Sequence, residues 1–280
     1  MTGTEGDAPL HIREGVASVC EYEGVRPLRA FRKRVPLSER WRLDAEADGL
    51  ARLAQAGVIR VPRIFGQGSS NEEAWLELEW FDLRVADAGS DARMGAALAR
   101  LHAVAGSRYG LDRDNAIGRA PQPNAPADAW EDFWRDRRLG FQLDRAAEGG
   151  HGGRLQDRGR RVIERIPAFF AGYRPLPSLL HGDLWAGNRA MLADGTPVIF
   201  DPAVYYGDRE ADIAMTRLFG GFGARFYEAY SAEWPLDAGA GTRADLYNLY
   251  HALNHLNLFG GGYRAMAESM INRLLAAAGP

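Results

Sequence analysis

The chain has 280 residues, of which 46% are hydrophobic and 25% are charged, a composition typical of globular proteins with one or two domains and unlike that of fibrous or disordered ones. Its formal net charge of −3 excludes a strongly basic surface that would hold nucleic acid or an anionic membrane by charge alone. A single cysteine, Cys20, excludes an intrachain disulfide, and we find neither a signal peptide nor a run of 18 apolar residues. We therefore expect a cytoplasmic protein, a monomer or weak dimer, with no nucleic-acid or membrane partner.

Lysine is almost absent from the chain. Lys33 is the only lysine, and the other 33 residues in the Lys and Arg total are arginines. Residues 27–35 alternate as a strand does, which places Lys33 on the same face as Phe31 and Val35. An inward-facing lysine in a chain that otherwise uses arginine is a candidate for a specific role. The alternative is that one lysine survived a biased composition by chance.

A helix is predicted from Ser38, its N-cap, to Ala56, with Gly57 as its C-terminal stop. At 100° per residue, the predicted buried stripe consists of Leu43, Ala47, Leu50, Leu53 and Ala54. Glu46 falls on this stripe, and a carboxylate that faces a core needs a partner. Lys33 is the candidate partner. Alternatively, Glu46 lies at the edge of the stripe and reaches water.

Strand and helix patterns are unevenly distributed along the chain. Residues 74–80 alternate as a strand does, and strand patterns return only at 198–200. Helical patterns begin at a segment capped by Ser90 and dominate 128–148, 154–170 and the chain after Asp208, with breaks at Pro235 and 260–262. The order predicts an α+β protein in two parts. Residues 1–81 hold the sheet and one helix, and residues 82–280 form a larger, mostly helical part.

The densest chemical signal is LHGDLWAGNRAMLADGTPVIFD at 180–201. Asp183 and Asn188 stand in a D-x-x-x-x-N spacing, and Asp201 follows an apolar strand after a hairpin-turn signal at 194–195. Carboxylate and amide oxygens are the ligands that suit Mg²⁺. A further carboxylate can accept the proton of an attacking hydroxyl. The segment therefore carries the groups that phosphoryl transfer needs.

Five residues in chain order match the machinery that uses ATP and Mg²⁺ in kinases. Asp183 is the predicted base, and Asn188 and Asp201 are the predicted metal ligands. Lys33 would hold the α- and β-phosphates, and Glu46 would orient Lys33. Any one of these residues has a structural alternative, because Asp and Asn often form turns. Five such groups in this order are much harder to obtain by chance.

Longer segments around these residues resemble known families. HGDLWAGN at 181–188 resembles the catalytic loop of the aminoglycoside phosphotransferase-like kinases. IFDPAVYYGDREADIAMTRLFGGF at 199–222 and LYNLYHALNHLNLFGGGYR at 246–264 resemble the fructosamine kinase (ketosamine 3-kinase) family more narrowly, with weaker similarity in 113–124 and 132–139. The resemblance extends from about residue 28 to 275. It implies a bilobal protein-kinase-like fold, ATP and Mg²⁺ as cofactors, and phosphate transfer to a sugar hydroxyl of a ketoamine or glycated amine.

Further residues near these groups complete the predicted site. The backbone near Glu79–Phe81 is expected to grip the adenine. The candidates for the substrate pocket are Trp185, Tyr205, Asp208 and Glu210. Aromatic faces pack on sugar rings and carboxylates can bind an amine, although packing is an equally good explanation for Tyr205.

Two neighbouring polar residues receive supporting roles. His181 is expected to hydrogen-bond the backbone near Asp201 rather than act in catalysis. Asp212 is interpreted as a helix cap or a charge partner of Arg209 and is left outside the site.

Two rival interpretations remain open. The same fold could act on an aminoglycoside or on an amino-alcohol such as choline. A degenerate kinase could also bind nucleotide or sugar without turnover. Its support is EGVASVCEYEG at 14–24, where kinases carry a glycine-rich loop over the phosphates but this chain has only Gly15 and Gly24.

Overall fold

The N-terminal part of the protein is an antiparallel sheet with one helix across it. The computed structural model describes residues 15–20 and 28–279. The four strands run in the order β1-β2-β4-β3, with β1 at Gly15–Cys20, β2 at Leu28–Pro36, β3 at Ile64–Ser69 and β4 at Glu73–Glu79. Helix α1, Arg40–Ala56, connects β2 to β3. The glycine-poor segment 14–24 lies outside the described residues except for β1.

Helix α1 confirms most of its prediction. Four residues of the predicted stripe are buried, namely Leu43, Ala47, Leu50 and Leu53, and Gly57 ends the helix with a left-handed φ of 66°. Two details were wrong. Ser38 is not the N-cap, because residues 37–39 form a separate 3₁₀ turn before α1 and the Leu37 N–H donates to Glu72 O. Ala54, in the last turn, is exposed.

The C-terminal part is mostly helical. Its helices are α2 Ala88–His102, α3 Trp130–Phe133, α4 Phe141–Glu148, α5 Arg154–Glu164, α6 Ile166–Phe169, α7 Glu210–Leu218, α8 Ala224–Glu233, α9 Ala240–Phe259 and α10 Tyr263–Ala277. A π-helical segment, Trp134–Gly140, joins α3 to α4. The α+β, bilobal architecture is confirmed.

Three short antiparallel pairs support the loops of this part. They are β5 Asn115–Ile117 with β6 Ala120–Gln122, β7 Ser178–Leu180 with β10 Tyr205–Gly207, and β8 Arg189–Met191 with β9 Pro197–Ile199. Most of these strands were not predicted, because three residues are too few for an alternating pattern to show. The hairpin signal at 194–195 is confirmed by the β8–β9 connection.

The start of α2 differs from its prediction. Asp87, not Ser90, is the N-cap of α2: Asp87 accepts the Ser90 N–H at 2.7 Å, and the Ser90 hydroxyl accepts the Asp87 N–H at 2.8 Å. This reciprocal pair is a capping box, in which the serine occupies the third helical position.

The apolar core runs from the N-terminal helix into the C-terminal part. Residues of α1, β4, α2, β7 and β9 share one buried cluster. Gly49 of α1 lies so close to Pro202 that a Cβ atom there would come within 3.1 Å of the proline ring. This contact sets α1 directly against the segment that follows β9. No helix within residues 28–279 is long and apolar enough to cross a membrane.

We predict that Gly95→Ala destabilises the fold by about 1–3 kcal/mol, the usual cost of overpacking. A Cβ at Gly95 of α2 would lie 2.1 Å from Phe226 O of α8, so the two helices would have to separate. The free energy of unfolding in denaturant measures the effect. Gly241→Ala is the matched control, because it meets nothing within 4 Å and should be neutral or slightly stabilising. Equal stabilities of the two variants would contradict the close crossing of α2 and α8.

Candidate active site

The only lysine lies between two carboxylates from different elements. Lys33 of β2 donates to Glu46 of α1, with Nζ 2.8 Å from Oε1 and 3.0 Å from Oε2. The same Nζ lies 2.5 Å from Oδ1 of Asp201, which follows β9. The Lys33 and Glu46 side chains are 12% and 14% exposed, so the pair is largely withdrawn from water. The predicted pairing of Lys33 with Glu46 is present, and Asp201 is a second partner.

Lys33, Glu46 and Asp201 form a triad with one positive and two negative groups, so their charges do not balance. Burial alone would lower the pKa of Lys33, but the carboxylates of Asp201 and Glu46 outweigh it and raise that pKa. Burial raises the pKa of Glu46 to about 7 despite the favourable charge of Lys33, and the charge of Asp201 adds to the increase. One ammonium therefore faces two carboxylates, and the site favours a further cation.

A sharp backbone turn brings Asp201 to the triad. Asp201 is the only non-glycine among the described residues with a left-handed backbone, at φ 58°, a conformation that aspartate tolerates better than most residues. Next to it, Ala203 N donates to His181 O at 2.8 Å, and His181 Nε2 lies 3.0 Å from Phe200 O. The expected hydrogen bond from His181 to the backbone beside Asp201 is confirmed.

Asn188 joins the predicted base, Asp183, to the other predicted metal ligand, Asp201, through the backbones of both residues. Its Nδ2 donates to Asp183 O at 2.9 Å and to Asp201 O at 3.4 Å. Asp183 is half-buried. Burial, followed by the charges of Asp201 and Asp212, raises the pKa of Asp183 to about 7. Asp183, Asn188 and Asp201 therefore form one hydrogen-bonded unit.

Asp212 supports the site in a way that the sequence did not predict. Its two carboxylate oxygens accept the backbone N–H groups of His181 and Gly182 at 2.8 Å and 2.9 Å, directly before Asp183. Its Oδ2 also lies 3.1 Å from His102 Nε2. Burial would raise the pKa of Asp212, but the hydrogen bond and charge of His102 outweigh it and lower that pKa. The proposed partner of Asp212, Arg209, instead binds backbone carbonyls of Trp234 and Pro235.

A second missed support is the β5–β6 hairpin. Asn115 donates to Val204 O at 2.7 Å, and Gln122 donates to Ala203 O at 3.0 Å, so the hairpin holds the segment that follows Asp201. Both amides belong to residues 113–124. The weaker family similarity of this segment was the sequence signal that could have indicated its role.

An open cleft of about 620 Å³ leads from the triad to the connection between the two parts. Lys33 and Asp201 line its inner end, and the chain from Glu79 to Arg84 lines its outer side. The apolar side chains of Phe31, Leu78 and Phe200 line it as well. The cleft therefore combines an apolar surface for a flat ring with a charged end.

The two residues predicted near the adenine lie in this cleft. The Glu79 carboxylate pairs with Arg60 at 2.5 Å and with Arg63 at 3.2 Å, and the Arg60 guanidinium lies 5.2 Å from the centre of the Phe81 ring. The Glu79 N–H donates to Arg63 O. Glu79 therefore braces the connection, and Phe81 lies on the cleft wall.

Three of the four predicted substrate residues lie in the interior and not on a pocket wall. Tyr205 is 2% exposed and packs on the Arg138 guanidinium at 4.1 Å. Asp208 is fully buried and accepts the hydroxyls of Tyr247 at 2.5 Å and Tyr173 at 3.0 Å. Glu210 is 3% exposed and binds Arg243 at 2.8 Å and 3.0 Å.

The prediction that these three residues bind the substrate is therefore corrected: they have structural roles. Neighbouring side chains already bind the carboxylates of Asp208 and Glu210 and cover the ring of Tyr205. Trp185 alone is half-buried; it lies within the loop 181–188, with Gly187 against its ring.

The donor set suits a divalent cation. Asn188 uses its Nδ2 as a donor to two carbonyls, so its Oδ1 would be the atom that faces a cation, and Asp201 would supply a carboxylate. Amide and carboxylate oxygens are hard ligands of the kind that bind Mg²⁺. Within the described residues no group of three or more His, Cys, Asp and Glu side chains is arranged around a metal site, so phosphate oxygens or water would have to complete the coordination.

Comparisons of sequence and fold point to one family of known proteins. The fructosamine kinase family model matches residues 29–277. A probable ketoamine kinase from Synechocystis sp. is 46% identical over 240 residues, which are 85% of this chain and 80% of that protein. A chloroplastic protein-ribulosamine 3-kinase from Oryza sativa subsp. indica is 40% identical over 235 residues, 83% of this chain and 68% of that protein. The crystal structure of a fructosamine-3-kinase candidate from Haemophilus somnus matches with a TM-score of 0.82 at 31% identity, covering 93% of this chain and 91% of the other.

We predict that Lys33→Met destabilises the protein by about 3 kcal/mol at pH 8 and by clearly less at pH 5. Without the ammonium, the Glu46 carboxylate faces that of Asp201 uncompensated, and the pKa of Glu46, already about 7, rises further above its unfolded value of about 4. The loss is therefore largest above the folded pKa of Glu46 and fades as falling pH protonates this carboxylate.

Denaturant unfolding at both pH values measures this loss. Arg34→Met is the matched control on the same strand, because the Arg34 side chain is 51% exposed and pairs with Glu73 at 3.2 Å. If Lys33→Met lowers the free energy of unfolding equally at pH 5 and pH 8, Lys33 does not stabilise the fold by compensating the Glu46 and Asp201 carboxylates.

Proposed function

The chain belongs to the fructosamine kinase family, and we propose that it transfers the γ-phosphate of ATP to a sugar hydroxyl of a ketoamine at the inner end of the cleft. The observation that carries this proposal is the Lys33 triad. Its ammonium contacts Glu46 and Asp201 at once, and Asn188 ties Asp201 to Asp183. A chain that had lost catalysis would have no need to keep all five groups in contact, which argues against the degenerate-kinase alternative.

Each residue has a role that follows from its place. The apolar cleft beside Phe81 would receive the adenine. The N-terminal lobe would end at residue 81 and the C-terminal lobe would begin at residue 82. Lys33 would contact the α- and β-phosphates, and Glu46 would keep its ammonium in position. Asn188 and Asp201 would hold Mg²⁺, which when bound neutralises charge on the phosphates.

Asp183 is the group that would receive the proton of the attacking hydroxyl. Its carboxyl lies in the same unit as Asn188, and the burial and neighbouring charges that raise its pKa make the carboxylate a stronger base than an exposed aspartate. Trp185, two residues on, would offer its ring to the sugar of the acceptor.

The identity of the acceptor can be measured directly. We expect ADP release with fructosyl-lysine, ribulosyl-lysine or erythrulosyl-lysine, each with Mg²⁺-ATP, and a phosphorylated ketoamine by mass spectrometry. Aminoglycosides and choline serve as the competing acceptors in the same screen. Turnover confined to an aminoglycoside or to choline would replace the ketoamine proposal. No turnover with any acceptor, in protein that binds Mg²⁺-ATP, would favour the degenerate kinase.

We predict that Asp183→Asn lowers kcat by about 10²–10⁴-fold while ATP binding changes little, because the base acts on the acceptor hydroxyl and not on the nucleotide. Steady-state kinetics and ATP calorimetry measure the two effects. Asp194→Asn is the matched control, since this exposed turn residue in the same segment tolerates asparagine. Activity of Asp183→Asn within threefold of the wild type would rule out Asp183 as the base.

A further inference from the structure

The turn between α7 and α8, residues 219–223, has little backbone support of its own. Within the described chain, residues 220–222 make no hydrogen bond between backbone groups. Gly220 and Gly221 both have left-handed backbones, with φ of 73° and 90°. Side chains from elsewhere must therefore set the position of this turn.

A buried ion pair supplies that support. Arg189, which follows Asn188 at the start of β8, donates to the carboxylate of Asp91 in the first turn of α2 and to Gly221 O. Its guanidinium also lies 4.0 Å from the centre of the Phe222 ring. Asp91 Oδ2 accepts Gly223 N at 2.8 Å. Arg189 and Asp91 are 8% and 7% exposed, so both groups are committed to the turn.

The turn that they hold lies against the catalytic loop. A Cβ atom at Gly221 would come within 2.4 Å of the Ala186 side chain, so the turn can take this position only with glycine there. Ala186 follows Trp185 and precedes Asn188 by two residues. At the other end of the turn, Phe219 is 42% exposed and its ring lies 5.3 Å from that of His255.

The nucleotide side of the site does not depend on this turn. None of residues 219–223 lines the cleft that ends at Lys33 and Asp201. Asn188 is also held by groups outside the turn, since its carbonyl accepts Phe200 N at 3.2 Å and its Nδ2 donates to Asp183 O and Asp201 O. Movement of the turn would therefore alter the neighbourhood of Trp185 and leave the metal ligand in place.

We propose that Arg189 and Asp91 are positioning residues for the acceptor: they hold residues 219–223 against the catalytic loop as one wall of the ketoamine site. This inference rests on the proposed function. The chemistry of arginine suits the task, because its planar fork binds a carboxylate and a carbonyl at once while its face stacks on a ring. Lysine would keep the positive charge beside Asp91, but it has neither the paired donors nor the planar guanidinium that contacts the Phe222 ring.

The test compares Arg189→Lys with the wild type and with Arg225→Lys, the same substitution at an exposed pair with Glu228 on α8. The acceptor is the ketoamine that gives the highest turnover in the screen above. For Arg189→Lys we expect the acceptor KM to rise about tenfold, the usual effect of losing a hydrogen bond from a charged group, with kcat and the Mg²⁺-ATP Kd within about twofold. Arg225→Lys should match the wild type throughout.

Gly221→Ala provides a second perturbation that leaves the ion pair intact. It should displace the turn from Ala186 and raise the acceptor KM in the same way. Acceptor affinity is also measured without turnover, by calorimetry in the presence of a non-hydrolysable ATP analogue.

The outcomes separate the two proposals. Wild-type acceptor KM in both Arg189→Lys and Gly221→Ala, in an enzyme that phosphorylates the ketoamine, would overturn the positioning role alone. A lower melting temperature and a smaller active fraction with unchanged KM would also overturn it, since that is the signature of a structural role. A wild-type protein that phosphorylates no ketoamine would overturn the proposed function and this inference with it.

Discussion

The contact of one buried ammonium with two carboxylates organises the site and joins the two lobes. Lys33 comes from the sheet, Glu46 from helix α1 and Asp201 from the segment after β9, and none of the three side chains is more than 24% exposed. The attraction between these charges is strong because little water screens it. The same burial makes the pair costly to break, so the interaction constrains how α1 and the catalytic segment approach each other.

The surplus of negative charge in this site explains what it is suited to bind. Lys33 offsets only part of the charge of Glu46 and Asp201. Burial, together with the charge of Asp201, raises the pKa of Glu46 and that of Asp183 to about 7. Such a site favours a divalent cation and, with the cation, a polyphosphate. The fold holds the catalytic backbone through Asp212, which accepts two N–H groups, and through the amides of the β5–β6 hairpin.

Much of this could be predicted from the sequence, for reasons that particular residues show. Alternation along β2 and the stripe of α1 place Lys33 and Glu46 on facing surfaces, and local patterns are enough for that. The role of Asp212 was missed because the N–H groups that it accepts, those of His181 and Gly182, are 31 and 30 residues away in sequence. Tyr205, Asp208 and Glu210 were misassigned because nearness in sequence to Asp201 does not show which side chains the fold buries. Arg189 and Asp91, 98 residues apart, have no local pattern that links them.

The most direct test of the account is the Lys33→Arg variant, since it keeps the charge, in a chain whose other cations are all arginine, and changes only its shape. A guanidinium is larger than an ammonium and distributes its donors in a plane, so it should not fit between Glu46 and Asp201 while contacting phosphates. Single-turnover phosphoryl transfer from Mg²⁺-ATP to the best ketoamine acceptor should slow by at least about tenfold in a variant with wild-type circular dichroism. Transfer at the wild-type rate would contradict the central role of the lysine and leave the triad as a purely architectural contact.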